Sequence, residues 1–351
     1  MQAIAKNSPT EPGVDVVQVS APSLGAEDQV LVRVTISSIS GSELNIWRGT
    51  YRRPNGEPVA GGRILGYEHA GIVVDAGAVA RAAGFSPGRQ VSLASPFVPC
   101  GKCEPCSMGL VNRCRHWGHV GITLDGTDAE LVSLPMVVLE LLVDGVDPLD
   151  SDFHNTAWLA VRAVDRSSLV PGDRVAIVGP GPVGLLMLQA ARAAGASWIG
   201  VVGLPSDAAR LEIAKGLGAD DVFTASDSTV GEIKGLTEGF GPEVVLEAAG
   251  SPEGMKMSVD LVRVGGTVVF SGLPPQKIAP IEAIRVTRDE IDIRGVEGNL
   301  PDDRRRALRL MSRGRLKAGP IVTHRFSLED ASEAFRIAAS GDACKVVFDI
   351  R

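Results

Sequence analysis

Aromatic side chains are scarce in this 351-residue chain, at 4% of residues, which argues against a stacking platform for nucleic-acid bases. Basic charge is in deficit too. The 35 lysines and arginines face 42 aspartates and glutamates, a net charge of −7, so neither nucleic acid nor an anionic membrane surface is the expected partner. Long apolar runs are missing as well. The longest uncharged stretch, Val175–Ala191, holds three glycines and two prolines and stops at Arg192, too broken to cross a membrane. Met1–Lys6 lacks the apolar segment of a secretory signal. Five cysteines are too few to staple a chain of this length. These absences set the expectation of a cytoplasmic enzyme with a small-molecule substrate.

What is present is a globular balance: 44% hydrophobic and 22% charged residues, with 41 glycines marking many tight turns. At roughly 150 residues per domain, the length suggests about two domains, each with its own core. The first part reads as β-rich. Val30, Val32, Val34 and Ile36 alternate along Gln29–Ser37, the period of a half-buried strand. Short apolar runs at Gly71–Val74 and Gln90–Leu93 are separated by turn residues such as Ser86-Pro87-Gly88. A helix is expected over Ser42–Trp47 with Ser42 as its cap.

Near residue 150 the pattern changes. A helix is expected over Asp152–Asp165. Strands then follow at Arg174–Val178, Trp198–Val202, Asp221–Thr224, Glu243–Glu247 and Thr267–Phe270. Helices at Val183–Ala194, Ala208–Leu217, Thr229–Thr237 and Pro252–Val262 separate them. This alternation predicts an α/β fold with a doubly wound parallel sheet. A further helix is expected at Arg304–Arg313.

The turn after the first of these strands reads Gly179-Pro180-Gly181-Pro182-Val183-Gly184. In that position the pattern is that of a dinucleotide site. Gly179 permits the tight turn, Gly181 lets the backbone approach a pyrophosphate, and Gly184 lets helix and strand pack closely. Pro182 and Val183 open a helix whose free N–H groups face the phosphates. The next strand should end in an acid for the adenosine ribose, yet Gly203 stands there. Without that carboxylate a 2′-phosphate is not repelled, and Ser206 and Arg210 lie near in sequence. NADP is therefore favoured, with NAD kept open because Asp207 could take the ribose role. Ala249 and Leu273 complete the candidate cofactor-binding set.

Cys100, Cys103, Cys106 and Cys114 place four thiols within fifteen residues. Four thiolates satisfy tetrahedral zinc and leave no open position for substrate, so one structural ion per chain is expected. An iron–sulfur cluster and a redox dithiol pair are the competing readings. Cys344, far away in sequence, reads as a small buried residue.

Taken together, Gly41-Ser42-Glu43, Gly66-Tyr67-Glu68, the cysteine lobe, Pro171-Gly172-Asp173, the glycine turn and Glu247-Ala248-Ala249-Gly250 resemble the medium-chain dehydrogenase/reductase superfamily. The nearest branch is that of the zinc-containing alcohol, threonine and sorbitol dehydrogenases. The resemblance spans the whole chain. It implies a GroES-like catalytic domain over 1–150, with the zinc lobe at about 96–118, and a Rossmann NAD(P)-binding domain over 151–295. It further implies that 296–351 complete the catalytic domain, and that the protein is a homodimer or homotetramer.

The departures matter as much. The family holds a second, catalytic zinc through a Cys, a His, and a Cys or Glu; the matching positions here are Ser40, Tyr67 and Asn155. A hydroxyl, a phenol and an amide are poor zinc ligands. The relay His position holds Asn45, while Glu68 and the relay-position Ser42 remain. Hydride transfer without that Lewis acid needs hydrogen bonds and a general acid or base. The expected activity is NAD(P)H-dependent reduction of an activated C=C, C=N or C=O group. A polyol dehydrogenase with a Tyr/Ser pair in place of zinc, and a nucleotide-binding sensor without turnover, are the alternatives. Tyr67 is the leading acid, with Ser40 and Ser42 extending a proton path; the competing reading has Tyr67 filling the zinc volume and bonding Ser40 or Asn155. Glu68, His154 and Asn155 are further candidate catalytic residues, and Glu68 reads equally as a buried structural carboxylate.

Overall fold

The alternating stretch at Val30–Ile36 becomes one ten-residue strand, Gln29–Ser38, with its valines fully buried. The protein is described here from a computed structural model covering residues 1–53, 55–274 and 278–350. Its chain divides into two compact units, one of Met1–Asn155, Gly298–Gly314 and Val322–Arg351, the other of Thr156–Glu297 and Arg315–Ile321.

In the first unit, Gln29–Ser38 is the axis of a seven-stranded sheet. It pairs antiparallel with His69–Ala76, Leu131–Pro135 and the C-terminal strand Lys345–Asp349. The last residues of the chain thus enter the sheet built by the first. Their Val346 and Phe348 join a core with Val32, Val34, Leu65, Tyr67 and Phe335. Burying such side chains stabilises by roughly 1.5–3 kcal/mol each, before the entropy of ordering them.

The second unit is the expected doubly wound α/β layer. Six parallel strands run in the order Asp221–Thr224, Trp198–Gly203, Arg174–Val178, Val244–Glu247, Thr267–Phe270 and Asp292–Gly295. The helices Pro182–Ala194, Ala208–Gly216, Thr229–Leu236 and Pro252–Leu261 fall between successive strands. The central strands carry unbroken buried Val, Ala, Ile and Leu, as a sheet covered on both faces requires. The sixth strand escaped the sequence reading because it is an edge. Its Asp292-Ile293-Arg294-Gly295 is mostly exposed and has no apolar run.

Two local expectations need correction. The helix Gly41–Trp47 is capped by Ser40, not Ser42. Ser40 Oγ accepts from Glu43 N, and the Glu43 carboxylate accepts from Ser40 N at 2.8 Å. Ser40-Gly41-Ser42-Glu43 is thus a reciprocal capping box, which fixes the start one turn position earlier. The helix expected over Asp152–Asp165 is found as His154–Arg166, and a short helix that was not expected, Pro148–Asp152, precedes it. Asp147 caps the first by accepting from Leu149 N at 2.8 Å, with Pro148 at its opening position.

Candidate active site and metal centre

The capping box that starts Gly41–Trp47 also aims Ser40. Its hydroxyl donates to the Tyr67 phenol oxygen, and both side chains are buried. Tyr67 is held by the backbone of the two residues before it. Thr127 N donates to Gly66 O at 3.0 Å and Asp128 N to Leu65 O at 2.9 Å. Gly66 has φ +92°, and a β-carbon there would stand 2.5 Å from Asp128 N, so only glycine lets the two segments approach. The Tyr67 ring meets His119 edge-on, centroids 5.2 Å apart. Burial, then the charges of Glu43 and Glu68, push the phenol well above its ordinary value, against hydrogen bonds from Ser40 and Ser42. At neutral pH Tyr67 is a protonated donor.

Behind this pair lies a buried acidic cluster that the sequence reading saw only in part. Glu68 accepts from Ser38 Oγ at 2.8 Å and is ion-paired with Lys345, both side chains 4% exposed. Lys345 Nζ also stands 5.3 Å from the centre of the Phe153 ring. Ser37 Oγ donates to Asp128 Oδ1. Asp152 is wholly buried, and burial followed by the charge of Glu68 pushes its carboxyl up to about 7. Asp128, Asp152 and Lys345 gave no sequence signal. A lone acid in a Gly-Thr-Asp turn or a lysine opening an apolar strand normally marks a surface.

The other candidate residues take defined places. His154 Nδ1 is 2.9 Å from Ser92 Oγ and its Nε2 is 2.9 Å from the carbonyl of Arg304, so both ring nitrogens are engaged in the scaffold. Burial pushes its imidazole down to about 4. Asn155 is buried, Ser42 half-buried and Asn45 exposed. Cys344 is buried as expected. The donors at the family's catalytic-zinc positions do not fit that ion. Ser40 and Tyr67 satisfy each other, and neither offers a thiolate, imidazole or carboxylate.

The cysteine lobe does fit zinc. Cys103 caps the short helix Glu104–Ser107, which carries Cys106 back toward it. The four sulfurs lie within 4.8 Å of one another, with Cys103 Sγ 3.5 Å from Cys106 Sγ and 3.8 Å from Cys114 Sγ. A tetrahedron of sulfurs at about 2.3 Å from zinc has edges of roughly 3.8 Å. Backbone N–H groups of Cys100 and His116 point at Cys114 Sγ at 3.3 and 3.4 Å, the donors a thiolate shell uses.

In the second unit the glycine turn has the form its sequence implies. Gly179 adopts φ +104°, and a β-carbon at Gly184 would stand 2.0 Å from Gly179 O. Gly181 faces open space and caps the helix with no side chain. Pro182 lacks an N–H, which leaves Val183 and Gly184 to present theirs to an anion. Gly203 has no room for the missing ribose acid, because a β-carbon would lie 2.8 Å from Pro180 Cγ. Asp207 instead accepts from Leu204 N and is paired with Arg210 at 3.0 Å, while Ser206 is exposed. Ala249 and Leu273 are exposed where the fourth and fifth strands of the βα series, Val244–Glu247 and Thr267–Phe270, end. Glu247 ties their loops together: its carboxylate accepts from Gly250 N at 2.6 Å and Gly272 N at 3.2 Å. Such crevices beyond the carboxyl ends of parallel strands are where open α/β sheets take nucleotides.

A sheet of this order with its glycine turn, together with a β-rich unit carrying a four-thiol lobe, defines a nicotinamide-dependent dehydrogenase. Residues 26–142 match the family described as alcohol dehydrogenase GroES-like domain, and residues 182–313 that described as zinc-binding dehydrogenase. A sorbitol dehydrogenase from Halalkalibacterium halodurans is 31% identical over 320 residues, 91% of each chain. An L-threonine 3-dehydrogenase from Streptomyces coelicolor is 33% identical over 99% of both chains. Among solved structures, the alcohol dehydrogenase of Thermus sp. ATN1 superposes with TM-score 0.91 at 30% identity over the whole of both chains. A zinc-binding dehydrogenase from Sinorhizobium meliloti bound to NADP gives 0.90 at 30% identity, over 99% of this chain and 98% of that one. The chain belongs to the zinc-binding alcohol dehydrogenase family of the medium-chain dehydrogenase/reductase superfamily, and it is an NAD(P)-dependent oxidoreductase acting on small molecules.

Proposed function

We propose that this oxidoreductase works without a catalytic zinc and reduces an already polarised C=C, C=N or C=O group, with Tyr67 as its proton donor. The observation that carries the reading is the Ser40 hydroxyl donating into the Tyr67 oxygen at two of the family's ligand positions. With that oxygen already accepting, the phenol's own hydrogen is left to donate. Bound nicotinamide dinucleotide supplies the hydride. Tyr67 then protonates or hydrogen-bonds the atom on which negative charge develops, and Ser40 and Ser42 stabilise the phenolate that results. A phenol pushed upward by burial stays protonated at neutral pH and so is not available as a base, which suits reduction better than oxidation of an unactivated alcohol. Glu68, paired with Lys345, acts through its charge rather than by touching substrate. His154 and Asn155 support the pocket.

NADP is the favoured cofactor. Gly203 bars an acid from the ribose position, and Arg210 with Ser206 offers a cation and a hydroxyl to a 2′-phosphate. A cytoplasmic homodimer or homotetramer completes the reading. The names of the relatives favour a second one, an alcohol or polyol dehydrogenase whose Tyr/Ser pair replaces zinc.

Metal analysis paired with cofactor-oxidation and cofactor-reduction panels tests both. About one zinc per chain, lost on Cys106→Ser, with turnover of enones, quinones or imines by NADPH, is the expected result. Two zincs per chain would overturn the zinc-free reading, and turnover confined to polyols would favour the second. Nucleotide binding with no turnover across both panels would instead leave a sensor. Tyr67→Phe should lower turnover by roughly two orders of magnitude; unchanged kinetics would retire the phenol as acid.

A further inference from the structure

The carboxyl ends of the parallel strands differ on the two sides of the glycine turn. The strand Arg174–Val178, which feeds the turn, pairs with Trp198–Gly203 on one side and with Val244–Glu247 on the other. The adenosine-ribose position at Gly203 lies on the first side. A dinucleotide whose pyrophosphate sits at the turn therefore extends its nicotinamide half toward the ends of Val244–Glu247 and Thr267–Phe270. Both loop serines there serve the loops themselves. Ser251 Oγ accepts from Gly254 N at 3.0 Å, and Ser271 Oγ donates to Glu247 O at 2.6 Å. What the two loops expose is Ala249 and Leu273.

These loops approach one another through glycine. Gly250 adopts φ +66°, and a β-carbon on Gly272 would stand 2.2 Å from Gly250 N. A β-carbon on Gly179 would stand 2.7 Å from Ala249 N, so the pyrophosphate turn abuts the same segment. Main chain packed against main chain leaves few side-chain contacts to hold the spacing. Glu247 holds it, at 0% exposure. One carboxylate oxygen accepts from Gly250 N at 2.6 Å and the other from Gly272 N at 3.2 Å. Its carbonyl accepts from both the N and the Oγ of Ser271, at 3.0 and 2.6 Å.

We propose that Glu247 is a positioning residue for the nicotinamide half of the cofactor. Wholly covered, it does not touch the ligand; it sets the distance between residues 248–251 and 271–273, and with it the groove that the nicotinamide riboside enters. The inference rests on the dinucleotide-dependent class of the enzyme and not on the zinc-free reading of Tyr67. A carboxylate suits the task because both of its loop partners are donors. An amide of the same shape has one acceptor oxygen and one NH2, so Glu247→Gln would turn a donor toward one of the two glycines. One loop would then lose its tether while the buried strand beneath stayed packed. Burial raises the carboxyl's pKa, and the Gly250 and Gly272 N–H groups work against that.

Calorimetric titration of the purified, zinc-loaded protein tests this without turnover. The probes are NADPH and NADH, and their adenosine halves 2′,5′-ADP and 5′-AMP. Glu247→Gln should weaken the dinucleotide about tenfold and leave the adenosine half unchanged. Equal weakening of dinucleotide and half would make Glu247 a general support of the fold. An unchanged dinucleotide affinity would show that its tether positions nothing. Either result overturns the proposal.

Ser271→Ala is the milder companion, should Glu247→Gln fold poorly. It removes the 2.6 Å tie to Glu247 O and keeps the carboxylate. The same selectivity, with the dinucleotide weakened and the adenosine half spared, is expected at smaller size. Loss in equal measure from both, or from neither, overturns the proposal here too. A second zinc in the metal analysis, or unchanged kinetics in Tyr67→Phe, would remove the zinc-free reading and leave these titrations as they stand.

Discussion

Lys345 Nζ is ion-paired with Glu68 at a depth where each side chain is only 4% exposed. The lysine arrives on the C-terminal strand Lys345–Asp349, and the glutamate precedes the strand His69–Ala76. It brings a positive charge into a buried group that includes Glu43, Glu68 and Asp152. Burial alone would lower the lysine's pKa, but Glu68 first and then Asp152 and Glu43 raise it above its ordinary value. The pair therefore fixes the C-terminal segment and the charge behind Tyr67 together.

Removing the cation should be costly. Lys345→Met takes the buried cation away from Glu68 in a dry environment, a loss on the order of 3–5 kcal/mol. Glu68→Gln combined with Lys345→Met should recover most of that. Denaturant midpoints of the three proteins check it, and an unchanged midpoint for Lys345→Met would show the pair to be hydrated rather than buried.

Asp152 predicts a pH dependence of stability. Its carboxyl is pushed from an ordinary 3.8 to about 7 in the folded protein, mainly by burial. The folded state thus binds the proton more tightly than the unfolded state. The stability this provides is fully present below pH 3.8 and fades as pH rises through about 7. Asp152→Asn cannot ionise, so its melting temperature relative to the parent should climb by a few degrees between pH 5 and pH 8. Parallel melting curves across that range would refute the assignment.

Cofactor choice should hinge on Arg210. Asp207 holds it at 3.0 Å beside the strand end where Gly203 excludes the ribose acid. Arg210→Ala removes a cation that would meet a 2′-phosphate and releases the Asp207 carboxylate. The NADPH-to-NADH ratio of kcat/KM should fall about tenfold, the equivalent of 1.4 kcal/mol. If both cofactors weaken equally, Arg210 serves only to anchor Asp207.

The legible parts of this protein were those written in local pattern. Val30 to Ile36 announced a strand, the run Arg174–Val178 a covered sheet, and Gly179–Gly184 the turn that follows it. The cysteine spacing marked a metal lobe. Less legible was the helix start at Ser40, where two serines compete and only the reciprocal bond with Glu43 decides. The edge strand Asp292–Gly295 was hidden because exposed edges need no apolar period.

The sequence by itself determined the two kinds of domain, the nucleotide turn and the thiol lobe. These depend on residue type and short spacing, which survive without coordinates. Tertiary structure alone decided that Ser40 donates to Tyr67, that Ser37 donates to Asp128, and that Lys345 closes on Glu68. Electrostatics in a buried site depends on distance and on exclusion of water, and neither is encoded in the neighbours of a residue along the chain.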